Sequence, residues 1–209
     1  MFRINGIRYL KNLIVGNYAD GNYVEIDKEG NITMYTGELT AAAGCVAPGE
    51  GITDGTGTII KSGVVNIGGI IKTSFLLDIT GLGSSTTDLD IIGTGTETAF
   101  LSQITAAING TILAGRMTCL EVPVGGIVDI DLYGATGATG DDGVFDSGIG
   151  ALTETALITA GASWTLALTK SFSAIPAANS WLYLCGGAAG TPAAYTAGKF
   201  LIELEGYVA

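Results

Sequence analysis

Residues 127–133 read IVDIDLY, an unbroken alternation. Ile127, Asp129, Asp131 and Tyr133 fall on one side of an extended chain, and Val128, Ile130 and Leu132 on the other. Successive side chains of a strand point to opposite faces, so this spacing predicts a half-buried β-strand.

The pattern repeats outward from this stretch. Residues 111–122, TILAGRMTCLEV, alternate with Ile112, Ala114, Arg116, Thr118 and Leu120 on one face. Residues 64–82, VVNIGGIIKTSFLLDITGL, are long and β-branched, with Gly68-Gly69 predicting a bulge or bend at the middle. Residues 88–93, 164–172, 181–185 and 200–208 follow the same logic. Segment 98–109, TAFLSQITAAIN, supports two readings. Phe100, Ile104 and Ile108 recur at helical spacing, with Asn109-Gly110 as a helix stop. The same residues alternate weakly, and Asn-Gly is also a hairpin turn; the strand reading is favoured. Strands at this spacing, with no series of amphipathic helices, predict an all-β fold, a β-sandwich or barrel rather than a doubly wound α/β sheet.

Three regions follow from composition. Residues 1–45 hold a hairpin signal at 23–35, YVEIDKEGNITMY, turning at Lys28-Glu29-Gly30-Asn31, after the turn-rich 17–22, NYADGN. Residues 46–60, VAPGEGITDGTGTII, contain Pro48, Gly49, Gly51, Gly55 and Gly57 and are expected to be a flexible linker. Residues 61–209 form the body. An isolated hairpin is marginal in water, so the N-terminal arm needs something to pack on.

Composition excludes several chemistries. The 209 residues contain 33 glycines, about twice the usual share of ~7%. No histidine is present, which removes His-based zinc sites, Ser-His-Asp triads and imidazole general bases. A net charge of −11 argues against nucleic-acid binding through a basic face. Residues 1–11 carry Arg3, Arg8 and Lys11 and no acidic residue, which leaves the other 198 at −14. That basic terminus is either a solvated end or an anchor for acidic groups on a partner. Cys45, Cys119 and Cys185 have no CxxC spacing and are expected to be free, buried thiols. No signal peptide or membrane-spanning segment is read, which fits synthesis in a reducing cytoplasm.

The remaining motifs are expected to be structural. Asp129, Asp131, Asp141, Asp142 and Asp146 lie among glycines, a composition that suits Ca²⁺, but they lack the EF-hand order. A solvated acidic loop is therefore expected over 129–146, with no metal and no cofactor. Residues 134–140, GATGATG, are expected to be an open loop, and the GTGT runs at 55–58 and 93–96 to be turns. Asp88 with Asp90, or Glu203 with Glu205, would share a strand face as a glycosidase pair requires, but no aromatic sugar platform surrounds them. Trp164, Trp181, Tyr183 and Tyr195 are expected to fill the core. No catalytic residue is assigned, and no enzyme activity is expected.

Three segments carry a resemblance: SGVVNIGGIIKTSFLLDITGL at 62–82, ITAAINGTILAGRMTCLEVPVGG at 104–126 and AGKFLIELEGYV at 197–208. They resemble virion structural proteins of tailed phages, and within that group capsid decoration (cement) proteins. The resemblance covers most of 60–209 and leaves the first 45 residues aside. It implies a jelly-roll-like β-sandwich, a homotrimer, and the major capsid protein as partner; the N-terminal β-hairpin arm read from residues 23–35 would suit reaching across to a neighbouring subunit. It implies a place on the outer capsid surface, with no nucleic acid and no membrane bound. The alternative is a tail or head-fibre protein whose β-sandwich binds a receptor or carbohydrate.

Overall fold

The computed structural model describes residues 12–17, 22–27, 32–34, 45–84, 88–95, 97–141, 149–190 and 193–208. The chain divides into two units, Met1–Ala41 and Ala42–Ala209.

The first unit contains a three-stranded antiparallel sheet, β1 (Asn12–Asn17), β2 (Asn22–Asp27) and β3 (Ile32–Met34), in that order. The hairpin read at 23–35 is the β2–β3 pair. The strand before it, β1, was not anticipated and makes the unit a meander. Its register aligns Leu13, Ile26 and Ile32 in one row and Val15, Val24 and Met34 in the next. The Lys28–Asn31 turn lies outside the described residues.

The second unit is an all-β sandwich. One sheet has the order β11-β8-β14-β5-β4 and the other β10-β9-β12-β7. The first comprises β4 (Ile59–Ile67), β5 (Ile70–Asp78), β8 (Thr111–Val124), β11 (Thr169–Ser171) and β14 (Ala197–Tyr207). The second comprises β7 (Ser102–Gln103), β9 (Ile130–Ala135), β10 (Glu154–Ile158) and β12 (Trp181–Gly186). Two-residue strands β6 (Gly83–Ser84) and β13 (Ala193–Ala194) pair with each other.

Alternation explains the core. Phe75 and Leu77 of β5, Met117 and Cys119 of β8, and Phe200, Ile202 and Leu204 of β14 meet Ile130 and Leu132 of β9 and Leu182 and Leu184 of β12 in one buried cluster. Trp164 joins it, edge-on to Phe200 at 5.4 Å, with its indole N–H donated to the Ile130 carbonyl at 2.9 Å. Tyr195 and Tyr183 are also buried, and each hydroxyl finds a carbonyl, Ile127 at 2.6 Å and Gly137 at 2.8 Å. Burying these rings without such partners would leave a polar group unsatisfied.

Several expectations are corrected. Gly68-Gly69 is a two-residue turn, with φ of +61° and +91°, so 59–78 is a hairpin and not one bent strand. Positive φ at both central residues suits glycine and matches the twist of the flanking strands. Strand β9 is buried on both faces, not one, because a second cluster covers the outside of its sheet. There Tyr133, Tyr183, Cys185 and Ala135 meet Ile91, Ala99 and Ile149. Gly134 and Ala135 belong to β9, so the open loop expected from Gly134 starts two residues later. In β8, Leu113 is an extra residue at a bulge, since Glu205 faces Ala114 while Gly206 faces Ile112. The bulge puts Ile112 on the opposite face from Ala114, Arg116 and Thr118.

Residues 46–60, expected as a joint, belong to the body. Gly49 and Gly51 donate backbone N–H groups to the Phe100 and Thr98 carbonyls, and Ile52 on the one-turn helix α1 (Glu50–Thr53) is fully buried. A methyl group at Gly49 would sit 2.0 Å from the Thr98 oxygen, so glycine here permits close packing and not flexibility. Within 98–109 the favoured strand is only β7. The segment ends in a one-turn helix, α2 (Ala106–Asn109). Thr105 caps α2 by accepting from the Ile108 N–H at 3.3 Å. Segment 88–93 makes only isolated bridges, at Ile91 and Gly93, and of 164–172 only β11 is strand.

Candidate functional site

Two places bring charged groups together. The first lies at the start of β9. Asp131 is only 4% exposed, and its Oδ1 accepts the Ala160 N–H at 2.6 Å. Asp129, two residues earlier, accepts from the backbone of Gly161 and Ala162. Its Oδ1 is buried without a hydrogen-bond partner among the described residues. A methyl group at Gly187 would lie 2.9 Å from Oδ1 of both carboxylates, so these oxygens are within twice that distance of one another. Glycine at 187 is what lets them converge.

Burial pushes both carboxyls above the usual range. For Asp131, the charges of Asp129 and Asp88 push in the same direction. Lys170 opposes the shift for both. Its ammonium donates to the carbonyls of Ala160 and Thr159 and lies 6.0 Å from the centre of the Trp164 ring. The solvated acidic loop expected over 129–146 is thus corrected at Asp131, which is buried. Asp141 instead forms a bridge with Thr98, while Asp142 and Asp146 lie outside the described residues. Among the described residues no group of three or more potential ligands is placed to hold a metal ion.

The second place is the outer face of the five-stranded sheet. Cross-strand register sets Lys72 opposite Glu205, Arg116 opposite Glu203, and Lys199 between Asp78 and Glu121. Arg116 Nε meets Glu203 Oε2 at 2.7 Å, and Lys199 pairs with Asp78 at 3.2 Å and with Glu121. A groove of about 210 Å³ runs beside them, lined by Lys72, Ser74, Arg116, Ser171, Glu203 and Glu205. Exposed pairs of this kind are worth about 0–1 kcal/mol each, so they set the surface more than the stability. Asp78 is held below the usual range: burial pushes it up, but hydrogen bonds from Thr80 and Lys199 outweigh that.

Neither carboxylate pair considered for glycoside hydrolysis is arranged for it. Glu203 is held in an ion pair with Arg116. Asp88 and Asp90 do not share a strand face, because Leu89 between them has φ of +66° and Asp90 is buried. None of the three cysteines is in a disulfide; Cys119 and Cys185 are buried and Cys45 is half-buried. Of the four aromatic residues expected inside, Trp181 is only half-buried and stacks edge-on with Phe100 at 4.4 Å.

Five exposed apolar residues lie together at the β4–β5 edge, a feature that sequence reading missed; others, such as Leu120, Val124 and Leu166, lie elsewhere. Ile59, Val65 and Ile67 of the edge strand β4 are 49%, 50% and 67% exposed. Ile70 and Leu76 of β5 continue the patch on the outer face. Their signal was present, since Ile59, Val65 and Ile67 occupy one parity of the strand, but only the sheet order shows that no strand of the described residues pairs beyond them. No helix among the described residues is long and apolar enough to cross a membrane. Comparison with protein-family models, with curated proteins and with solved structures finds no match to this chain.

Proposed function

We propose that this chain is a non-enzymatic structural protein of a phage virion, a capsid decoration protein that binds the outer shell and stabilises it by bridging major capsid protein subunits. The observation that carries the reading is the wiring of the body. Eight strands nest: β5 pairs with β14, β7 with β12, β8 with β11 and β9 with β10. The first therefore pairs with the last, the second with the second-last, and so inward. We read this order as that of a long antiparallel ribbon rolled into two facing sheets, the jelly-roll scheme used by viral capsid domains and also by lectins and cupins. The step from fold to role is an analogy, supported by the sequence resemblance of 62–82, 104–126 and 197–208.

The charged groups suit a structural part. Those on the outer face are matched across strands, and the buried Asp131 bonds backbone that holds the β10–β11 connection. The N-terminal sheet supplies strands of the kind that pair through the main chain with a shell protein.

Purified chain added to undecorated shells and imaged by electron microscopy tests the reading. Full-length protein is expected at regular lattice positions, and a chain lacking 1–45 is expected to lose occupancy. Equal occupancy after that deletion would refute the role of the N-terminal unit. No binding to shells, together with glycan binding, would favour a receptor-binding tail or fibre protein instead.

A further inference from the structure

Strand β4 is an open edge. Nine residues long, it pairs among the described residues only with β5, in a register without a bulge. It contains no proline and no acidic residue, and its one charge is Lys61. Proteins ordinarily protect such an edge with charges, prolines, bulges or a covering loop. Here most of the strand is exposed, including Ser62, Gly63, Val65 and Asn66.

The direction of its free hydrogen-bonding groups follows from the ladder. Antiparallel partners exchange hydrogen bonds at every second pair. The N–H of Ile79 bonds the Gly198 carbonyl, so odd-numbered residues of β5 turn their backbone groups toward β14. Even-numbered residues of β5 then bond β4, at Ile59, Lys61, Gly63, Val65 and Ile67. The two-residue turn at Gly68-Gly69, which closes on the Ile67–Ile70 pair, requires the same parity. Residues 60, 62, 64 and 66 are left with N–H and C=O groups aimed away from the sheet.

We propose that this edge is occupied by β4 of a second copy, antiparallel about a two-fold axis at Gly63, making one continuous ten-stranded sheet. In that register Ser62 meets Val64 of the second copy, and Ile60 meets its Asn66. All four residues whose backbone groups point outward therefore pair with residues whose groups also do. On the outer face Ile59 lies beside Ile67 of the second copy and Lys61 beside Val65, so the apolar row is continued and no like charges oppose. Gly63 faces its own equivalent, with nothing within 4 Å of the place a side chain would occupy. A two-fold contact uses the same patch on both partners, as a self-complementary strand requires. This is an alternative to the three-fold state implied by the sequence resemblance, because a strand pairing with itself closes after two copies.

Sedimentation equilibrium on the full chain, with two variants, tests the pairing. The wild type is expected at twice the chain mass. Gly63→Glu, which sets two carboxylates face to face at the axis, is expected to give single chains with unchanged melting and circular dichroism. Gly63→Cys is expected to form a dimer held by a disulfide on mild oxidation, because directly opposed residues without mutual hydrogen bonds are the closest in an antiparallel pair. Gly150→Cys, which also points into open space, is the control and is expected to stay monomeric on a non-reducing gel. A wild type that is monomeric at 100-fold dilution and at high concentration alike would overturn the proposal. So would a trimer, or a Gly63→Cys variant that crosslinks no more than the control.

Discussion

Replacing Asp131 with asparagine is expected to stabilise the protein at neutral pH, although it alters one of the most buried polar residues of the body. The carboxylate is 4% exposed, faces Asp129, and accepts one backbone N–H, from Ala160 at 2.6 Å. Asparagine retains an acceptor for that N–H and supplies a donor toward Asp129. It removes a charge that burial and two neighbouring carboxylates disfavour. One neutral hydrogen bond is worth ~1 kcal/mol, and relief of a buried, repelled charge is of similar size, so a gain of about 1 kcal/mol at pH 7 is expected.

The sign of the pH dependence follows from the raised pKa. On acidification the folded protein takes up its proton at Asp131 before the unfolded chain does. The penalty is full at neutral pH, shrinks as pH falls through the raised value, and is gone below the ordinary aspartate range near ~4. Urea unfolding of wild type and Asp131→Asn at pH 7, 5 and 3.5 should therefore give midpoints that differ at pH 7 and converge at pH 3.5. A loss of stability in the variant at pH 7 would refute the reasoning. It would mean that attraction to Lys170 outweighs the burial and repulsion.

Other substitutions check the packing and the surface. Phe200→Ala removes a fully buried ring from the central strand and from its contact with Trp164, and should cost about 3–5 kcal/mol in chemical denaturation. Tyr183→Phe deletes the hydroxyl bonded to the Gly137 carbonyl and should cost ~1–2 kcal/mol by the same assay. Asp78→Asn should lower stability by under ~1 kcal/mol at pH 7. Because Asp78 sits below its ordinary value, that difference should persist above the ordinary aspartate range and vanish as pH falls through the lowered one.

What could be read from residues alone depended on how many layers a strand touches. The alternation at 200–208 was legible because β14 has one buried and one outer face. At 127–133 the same alternation misled, since a second cluster around Ile91, Ala99 and Ile149 covers the polar-looking side as well. Parity along 111–122 failed at Leu113 because a bulge depends on the partner strand, which one chain segment does not contain. The end of 98–109 is helical with one local and one distant side-chain bond at Asn109. Asn109 Oδ1 accepts the Thr105 N–H at 2.8 Å, and its Nδ2 donates to Thr73 Oγ1 at 3.0 Å. The residues of the acidic cluster were visible, but not their sorting, because Gly187 and Ala160 come from distant strands and loops. The apolar edge of β4 was invisible for a related reason: an edge is defined by sheet order.

Copy number and position on purified virions test the central claim most directly. Imaging of particles, combined with quantitative gel densitometry against the major capsid protein, should find this chain in many copies spread regularly over the outer shell. A few copies confined to the tail, or none on the particle, would contradict it.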